Sequence, residues 1–292
     1  MGEGGQGSRH QAGVTLARAL AVALALAATS PAFAQGGDPN AAFANELIVV
    51  PFKDHSMAGL VTHRPEDRKF THAIALFPGS PGQVKLQMQD GQIVIGDLRG
   101  NFLVRARRHF LEEGFLTVVV DAPSDHWFGL FTHDFRASPR YGEDVKGLID
   151  AVAKRYGDLD WTFVGTSEGS LSAVQAGRMV APPPKRVVLT SSLTSPNFQG
   201  PGLRFSDVKA LTVPVLWVHH RRDPCRATPY STTKSWAEEL HEPLVTVTGS
   251  KDAHGNPCEA RSEHGFAGME VKTIKTIVAW IRTGQAPAEI GD

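Results

Sequence analysis

Ser167 stands between two glycines, Gly165 and Gly169, in the stretch FVGTSEGS at residues 163–170. A serine hydroxyl is a weak nucleophile at neutral pH. It acts when a base takes its proton and an acid orients that base. The G-x-S-x-G spacing suits a sharp turn from a strand into a helix, which exposes the hydroxyl and lets strand and helix close up. The N–H of Glu168, at the start of that helix, would then face the oxygen of an attacked carbonyl. In a chain with 29 glycines the spacing also arises by chance, so the partners must be found elsewhere.

On such an elbow the acid and then the base follow the serine in chain order. The apolar run VPVLWVHH leads into RRDPC, which places Asp223 just past a strand. The run before it, KRVVLTSSLTS, ends without a carboxylate. Two histidines then compete as base: His254 in KDAHGNPC and His264 in SEHGFAGME. His219 and His220 precede Asp223 and break the order. A second oxyanion donor is expected in PGSPG, after the early run HAIALF. The N–H of Ser80 is the candidate there, because Pro81 has none to give.

These residues can cooperate only if the chain brings them to one end of one sheet. ELIVVPF and MAGLVTH read as an opening pair of strands, HAIALF as a short buried strand, and QVKLQMQDGQIVIG as a hairpin about Asp90-Gly91. NFLVRARRHFLEEG reads as a helix capped by Asn101 and stopped at Gly114. FLTVVVDAP is the continuous apolar run of a strand buried on both faces. In SPRYGEDVKGLIDAVAKRYG, Ser138 can cap and Pro139 fits the first turn. Val145, Leu148, Ile149 and Val152 share one helical face there. WTFVG, KRVVLTSS, VPVLWVHH and LVTVTG continue as strands, with helices SLSAVQAGRMV and STTKSWAEELH between them. GMEVKTIKTIVAWIRTG closes the chain as a helix, with Val271, Ile274, Val278 and Ile281 on one stripe. This alternation predicts an α/β fold with a mostly parallel central sheet and helices on both faces. Sites in such sheets lie beyond the carboxyl ends of the strands.

The pieces PGSPG, VVVDAP, GTSEGS, HHRRDPC and EHGF together resemble the α/β-hydrolase superfamily, over about Glu46 to Gly284. In that family a serine elbow follows the fifth strand, an acid the seventh and a histidine the eighth. The resemblance implies the triad Ser167, Asp223 and His264, with His254 as the displaced alternative. The HGF ending also resembles the histidine loop of the dienelactone-hydrolase-like and peptidase-like branches. Where the family often has His-Gly in the oxyanion loop, this chain has Pro78-Gly79. The implied activity is hydrolysis of a small-molecule ester, with no cofactor, and with peptidase or amidase chemistry as the alternative. A non-catalytic binding protein of the same fold would be expected to lack a triad member.

Arg9, His10 and Arg18 precede or begin the apolar stretch LARALAVALALAATS, and Ala32-Phe33-Ala34 fits a signal-peptidase site. The expected organisation is a signal peptide over 1–34, a linker over 35–45, one hydrolase domain over 46–284 and a tail over 285–292. A secreted or periplasmic protein follows, with no membrane span in the mature chain. In such a compartment Cys225 and Cys258 are expected to pair. Lys plus Arg and Asp plus Glu each number 30, which gives no electrostatic case for nucleic acid. HHRRD offers metal-ligand types, but adjacent strand histidines point to opposite faces and no zinc spacing is present, so no metal is expected. In SDHWFGLFTHDF, Trp127, Phe128 and Phe131, with Phe135, are candidates to line an acyl pocket. Arg221 and Arg222 are candidates to meet an acidic group.

Overall fold

Runs that are apolar throughout or in alternation become strands, and the stretches of period 3.6 become helices. In the computed structural model, which describes residue 1 and residues 43–291, β1 (Ala44–Pro51) and β2 (Ser56–His63) pair antiparallel, with Leu47 opposite Leu60. β3 (His72–Phe77) follows. β4 (Leu86–Gln89) and β5 (Gln92–Ile95) form a separate hairpin that turns at Asp90 and Gly91, both at positive φ. α1 (Phe102–Ala106) is capped by Asn101, whose side chain accepts from the Leu103 N–H. It tightens into a 3₁₀ turn over Arg107–Phe110 and ends short of Gly114. Gly114, at φ +75°, instead turns the chain into β6 (Phe115–Val120).

The segment SDHWFGLFTHDF contains a one-turn helix, α2 (His133–Arg136), capped by Thr132. α3 (Pro139–Tyr156) starts at Pro139 behind its cap, Ser138. β7 (Asp160–Thr166), α4 (Gly169–Met179), β8 (Arg186–Thr190), α5 (Phe205–Lys209) and β9 (Val215–His220) come next. α6 (Tyr230–Leu240), β10 (Leu244–Val247) and α7 (Glu270–Thr283) complete the alternation. Beyond Gly284 the chain adds a short strand, β11 (Glu289–Ile290), parallel to β10. Residues 2–34 of the expected signal peptide and residues 35–42 of the expected linker lie outside the described residues, while Ala44 and Asn45 already belong to β1. Among the described residues no helix is long and apolar enough to cross a membrane.

The main sheet runs β1-β2-β6-β3-β7-β8-β9-β10-β11. The first two pairings are antiparallel and every pairing from β6 onward is parallel. Alternate residues feed two cores. Ala73, Ala75 and Phe77 of β3 join Val145, Leu148 and Val152 of α3 on one face. Ile74 and Leu76 join Phe102 of α1 and Ile274, Val278 and Ile281 of α7 on the other. Val271 departs from the expected stripe: it is half exposed at 50%, while Ile277 and Trp280 are buried. α7 therefore presents a broader face, as a helix lying against a sheet does.

The strand order places the loops. The chain leaves β3 toward β6 on one side and returns beside it as β7, so the loops after β3 and β7 part at a switch point. Phe77 is in register with Gly165 there. At the other pair, Val247 of β10 is in register with His220 of β9.

Candidate active site

Ser167 follows β7 directly and has φ +54°. A non-glycine residue in this region is uncommon and costs on the order of 1 kcal/mol or more, so the surroundings must impose it. The Ser167 N–H donates to the Thr190 carbonyl of β8 at 3.0 Å. The Ser170 hydroxyl donates to the Ser167 carbonyl at 2.6 Å. The flanking glycines explain how the turn fits. A Cβ on Gly169 would lie 2.0 Å from the Phe77 carbonyl oxygen, and one on Gly165 would lie 2.3 Å from the Gly169 oxygen. β7, the elbow and the loop after β3 are thus packed with no room for a side chain at either position.

Ser167 and His264 line one cavity of about 330 Å³, together with Gly79, Ser80, Asn101 and Cys258. The Ser167 hydroxyl makes no hydrogen bond to another described residue, and such bonds commonly tighten only when substrate is bound. The loop after β3 lies against the serine: a Cβ on Gly79 would come 3.0 Å from the Ser167 Cβ. The Ser80–Pro81 peptide bond is cis.

His264 sits in a 3₁₀ turn, Glu263–Gly265, and is buried. Its Nδ1 is 3.0 Å from Asp223 Oδ2 and 3.3 Å from Oδ1. The Ser191 hydroxyl donates to the His264 carbonyl at 2.8 Å, which pins the backbone from the end of β8. Asp223 also accepts from the Cys225 N–H at 2.9 Å and from the Thr228 hydroxyl at 3.0 Å. Burial by itself would raise the Asp223 pKa. The hydrogen bonds from His219 and His264 outweigh it and hold the carboxyl far below the usual range. Both histidine contacts thus favour the ionised carboxylate.

His254 is exposed, its Nδ1 bonded to the Asp252 carbonyl, and it meets no acid. His219 and His220 diverge as neighbours on a strand must: His219 Nε2 meets the Thr228 carbonyl at 3.0 Å, and His220 Nε2 meets the Gly249 carbonyl at 3.0 Å. Trp127, Phe128 and Phe131 do not reach the cavity. Phe131 is buried in the core under Arg136, Trp127 donates to the Ala122 carbonyl, and Phe128 is 84% exposed. Their positions follow from α2, which draws the segment onto α3 and α4. The charged side chains on the cavity wall are Arg99, Arg261 and Glu259, whereas Arg221 pairs with Glu289.

Glu168, the residue after Ser167, is held by its side chain as well. Its side chain is buried and accepts from Asn197 Nδ2 at 2.5 Å and Gln199 Nε2 at 2.7 Å. Arg136, fully buried, lies 3.6 Å away and His133 3.8 Å away. Burial would raise the Glu168 pKa, but His133, Arg136 and Asn197 outweigh it and lower it. Arg136 offsets the charge of this buried carboxylate. Gln199 Nε2 also donates to Ser80 Oγ at 3.2 Å, so it links the two loops that carry the candidate oxyanion donors. Asn197, Gln199, Arg136, Thr228 and Ser191 carry no recognisable motif, and only their placement reveals them.

Cys225 and Cys258 form a disulfide across 33 residues. It joins the Asp223 loop to the His264 loop, and Cys258 reaches the cavity wall. A loop of this length corresponds to about 3–4 kcal/mol in the chain-entropy picture, which is model-dependent. With His264 as the expected base, the placement of the bridge would add a geometric effect, because a base displaced by about 1 Å costs about 10²-fold in rate. The double change Cys225→Ser/Cys258→Ser is expected to lower kcat at least about tenfold at temperatures where circular dichroism shows the fold intact. Full turnover in the folded variant would leave the bridge a stabilising staple alone.

No family model matches the sequence, and no curated protein matches it. Solved structures do. Est1E from Butyrivibrio proteoclasticus superposes with a TM-score of 0.56 at 14% identity, over 80% of this chain and 97% of that one. An alpha-beta serine hydrolase homologue from Coxiella burnetii gives 0.55 at 16% identity, over 80% and 96%. The chain has the α/β-hydrolase fold. Dienelactone hydrolase from Anabaena variabilis is similar on the same scale, with a TM-score of 0.53 at 12% identity, over 82% and 97%. Counted within the main sheet of this α/β-hydrolase fold, the elbow follows the fifth strand, Asp223 the seventh and His264 the eighth.

Proposed function

We propose that this protein is an exported serine hydrolase that cleaves a small-molecule ester through an acyl-enzyme. One observation carries the reading: Asp223 holds the Nδ1 of His264 at 3.0 Å, and His264 lines the same cavity as Ser167. With Nδ1–H donated to Asp223, the Nε2 of His264 is left as the base. It takes the Ser167 proton while Oγ bonds to the ester carbonyl carbon, and the carbonyl electrons move onto oxygen. The N–H groups of Glu168 and Ser80 hold that oxyanion. Collapse breaks the bond to the alcohol oxygen, which leaves with the proton from His264. Water, deprotonated by His264, then bonds to the acyl carbon; the C–Oγ bond breaks, His264 returns the proton to Ser167 and the acid leaves. The chemistry needs no cofactor. Export is supported by the Ala32-Phe33-Ala34 site and by a disulfide, which persists in oxidising compartments.

A cavity of about 330 Å³ is near the small end of ligand pockets and favours a compact acyl group. On a series of p-nitrophenyl esters, acetyl and butyryl are expected to exceed palmitoyl by at least about tenfold in kcat/KM, about 1.4 kcal/mol. Turnover of a parallel peptide series, with none of the esters, would overturn the ester assignment.

A further inference from the structure

Asp223 carries two histidines, and the proposed mechanism uses one. His219 is fully buried near the end of β9, and its Nε2 lies 3.2 Å from Asp223 Oδ2. That Oδ2 is the oxygen nearer His264, and it also takes the Thr228 hydroxyl. The tautomer of His219 follows from its neighbours. Nε2 faces the Thr228 carbonyl at 3.0 Å, which can only accept, and a carboxylate oxygen. The proton is therefore on Nε2. Nδ1 is buried and has no partner among the described residues.

We propose that His219 is a hydrogen-bond donor to Asp223, a positioning residue that acts on the basicity of His264 through the carboxylate they share. The inference rests on the triad reading above. Each donor on Oδ2 spreads the negative charge that would otherwise stabilise a protonated His264. Removing the His219 N–H leaves Asp223 more basic and imidazolium more favoured, so His264 protonates at higher pH. The other groups near this cluster do not substitute for it. Tyr230 presents its ring edge to His219, with its hydroxyl bonded to Thr246 at 2.8 Å. His220, with Arg222 and Glu263 in its field, bonds to Gly249 instead of Asp223.

The test is the acid limb of the kcat/KM–pH profile on p-nitrophenyl acetate. In His219→Phe the limb is expected to move up by about half to one pH unit, with kcat at its plateau reduced less than about tenfold. His219→Gln, whose Nε2 can donate from nearly the same place, is expected to restore the wild-type limb. A limb that stays in place in folded His219→Phe overturns the proposal, as does an equal shift in His219→Gln. A purely structural role would lower activity at every pH without moving the limb. A measurement on the unmutated protein needs no variant to fold: the ¹⁵N shifts of the His219 ring at pH 8 are expected to show the Nε2–H form. The Nδ1–H form overturns the proposal. Failure of the triad reading itself shows separately, as turnover that survives Ser167→Ala.

Discussion

Ser167→Ala is expected to reduce kcat by about 10⁴- to 10⁶-fold and to abolish labelling by a fluorophosphonate probe, with the fold intact. The size follows from covalent chemistry, since no other hydroxyl is positioned for attack by the same elbow. Preservation of the fold follows from the site. Alanine keeps the Cβ, so the strain at φ +54° is much the same for both residues. The elbow is held by the Thr190 carbonyl and the Ser170 hydroxyl, which bond to the Ser167 backbone and not to its side chain. Residual hydrolysis above the water rate is expected from the oxyanion site alone. Undiminished labelling of the folded variant would remove Ser167 as nucleophile.

His264→Ala is expected to cost about as much as loss of the serine, because nucleophile and base act as a unit. His254→Ala is expected to stay within about threefold of wild type. The difference lies in burial and partners. His264 is buried against Asp223, whereas His254 is exposed and bonded only to nearby backbone. His264→Ala also leaves Asp223 with one donor fewer in a closed interior, a loss of about 1–3 kcal/mol in stability. Kinetics should therefore be read below the lowered melting temperature. If the two variants rank in the opposite order, the base is His254, reached after a rearrangement of the 250–264 loop.

Much of the framework was legible because it depends on local chemistry. Period-2 and period-3.6 patterns marked the strands and long helices, Ser138 and Asn101 announced their helices, and Asp90-Gly91 announced its hairpin. Gly165 and Gly169 mark an elbow through what they lack, since both positions are packed against backbone. The chain order of Ser167, Asp223 and His264 is a property of the sequence itself. The choice between His254 and His264 is not: ten residues apart in one irregular loop, they differ only in which one the fold turns toward Asp223. The same holds for His219, whose distance to Asp223 depends on the turn after β9, and for Glu168, whose charge is offset by Arg136, 32 positions earlier. The aromatic segment around Trp127 offered rings but no direction, and α2 turned them away from the cavity. Periodicity is a short-range signal carried by neighbouring residues. Side-chain direction in loops, and the pairing of buried charges, are fixed only when distant segments pack, because only then is it decided which groups lose water and must find one another.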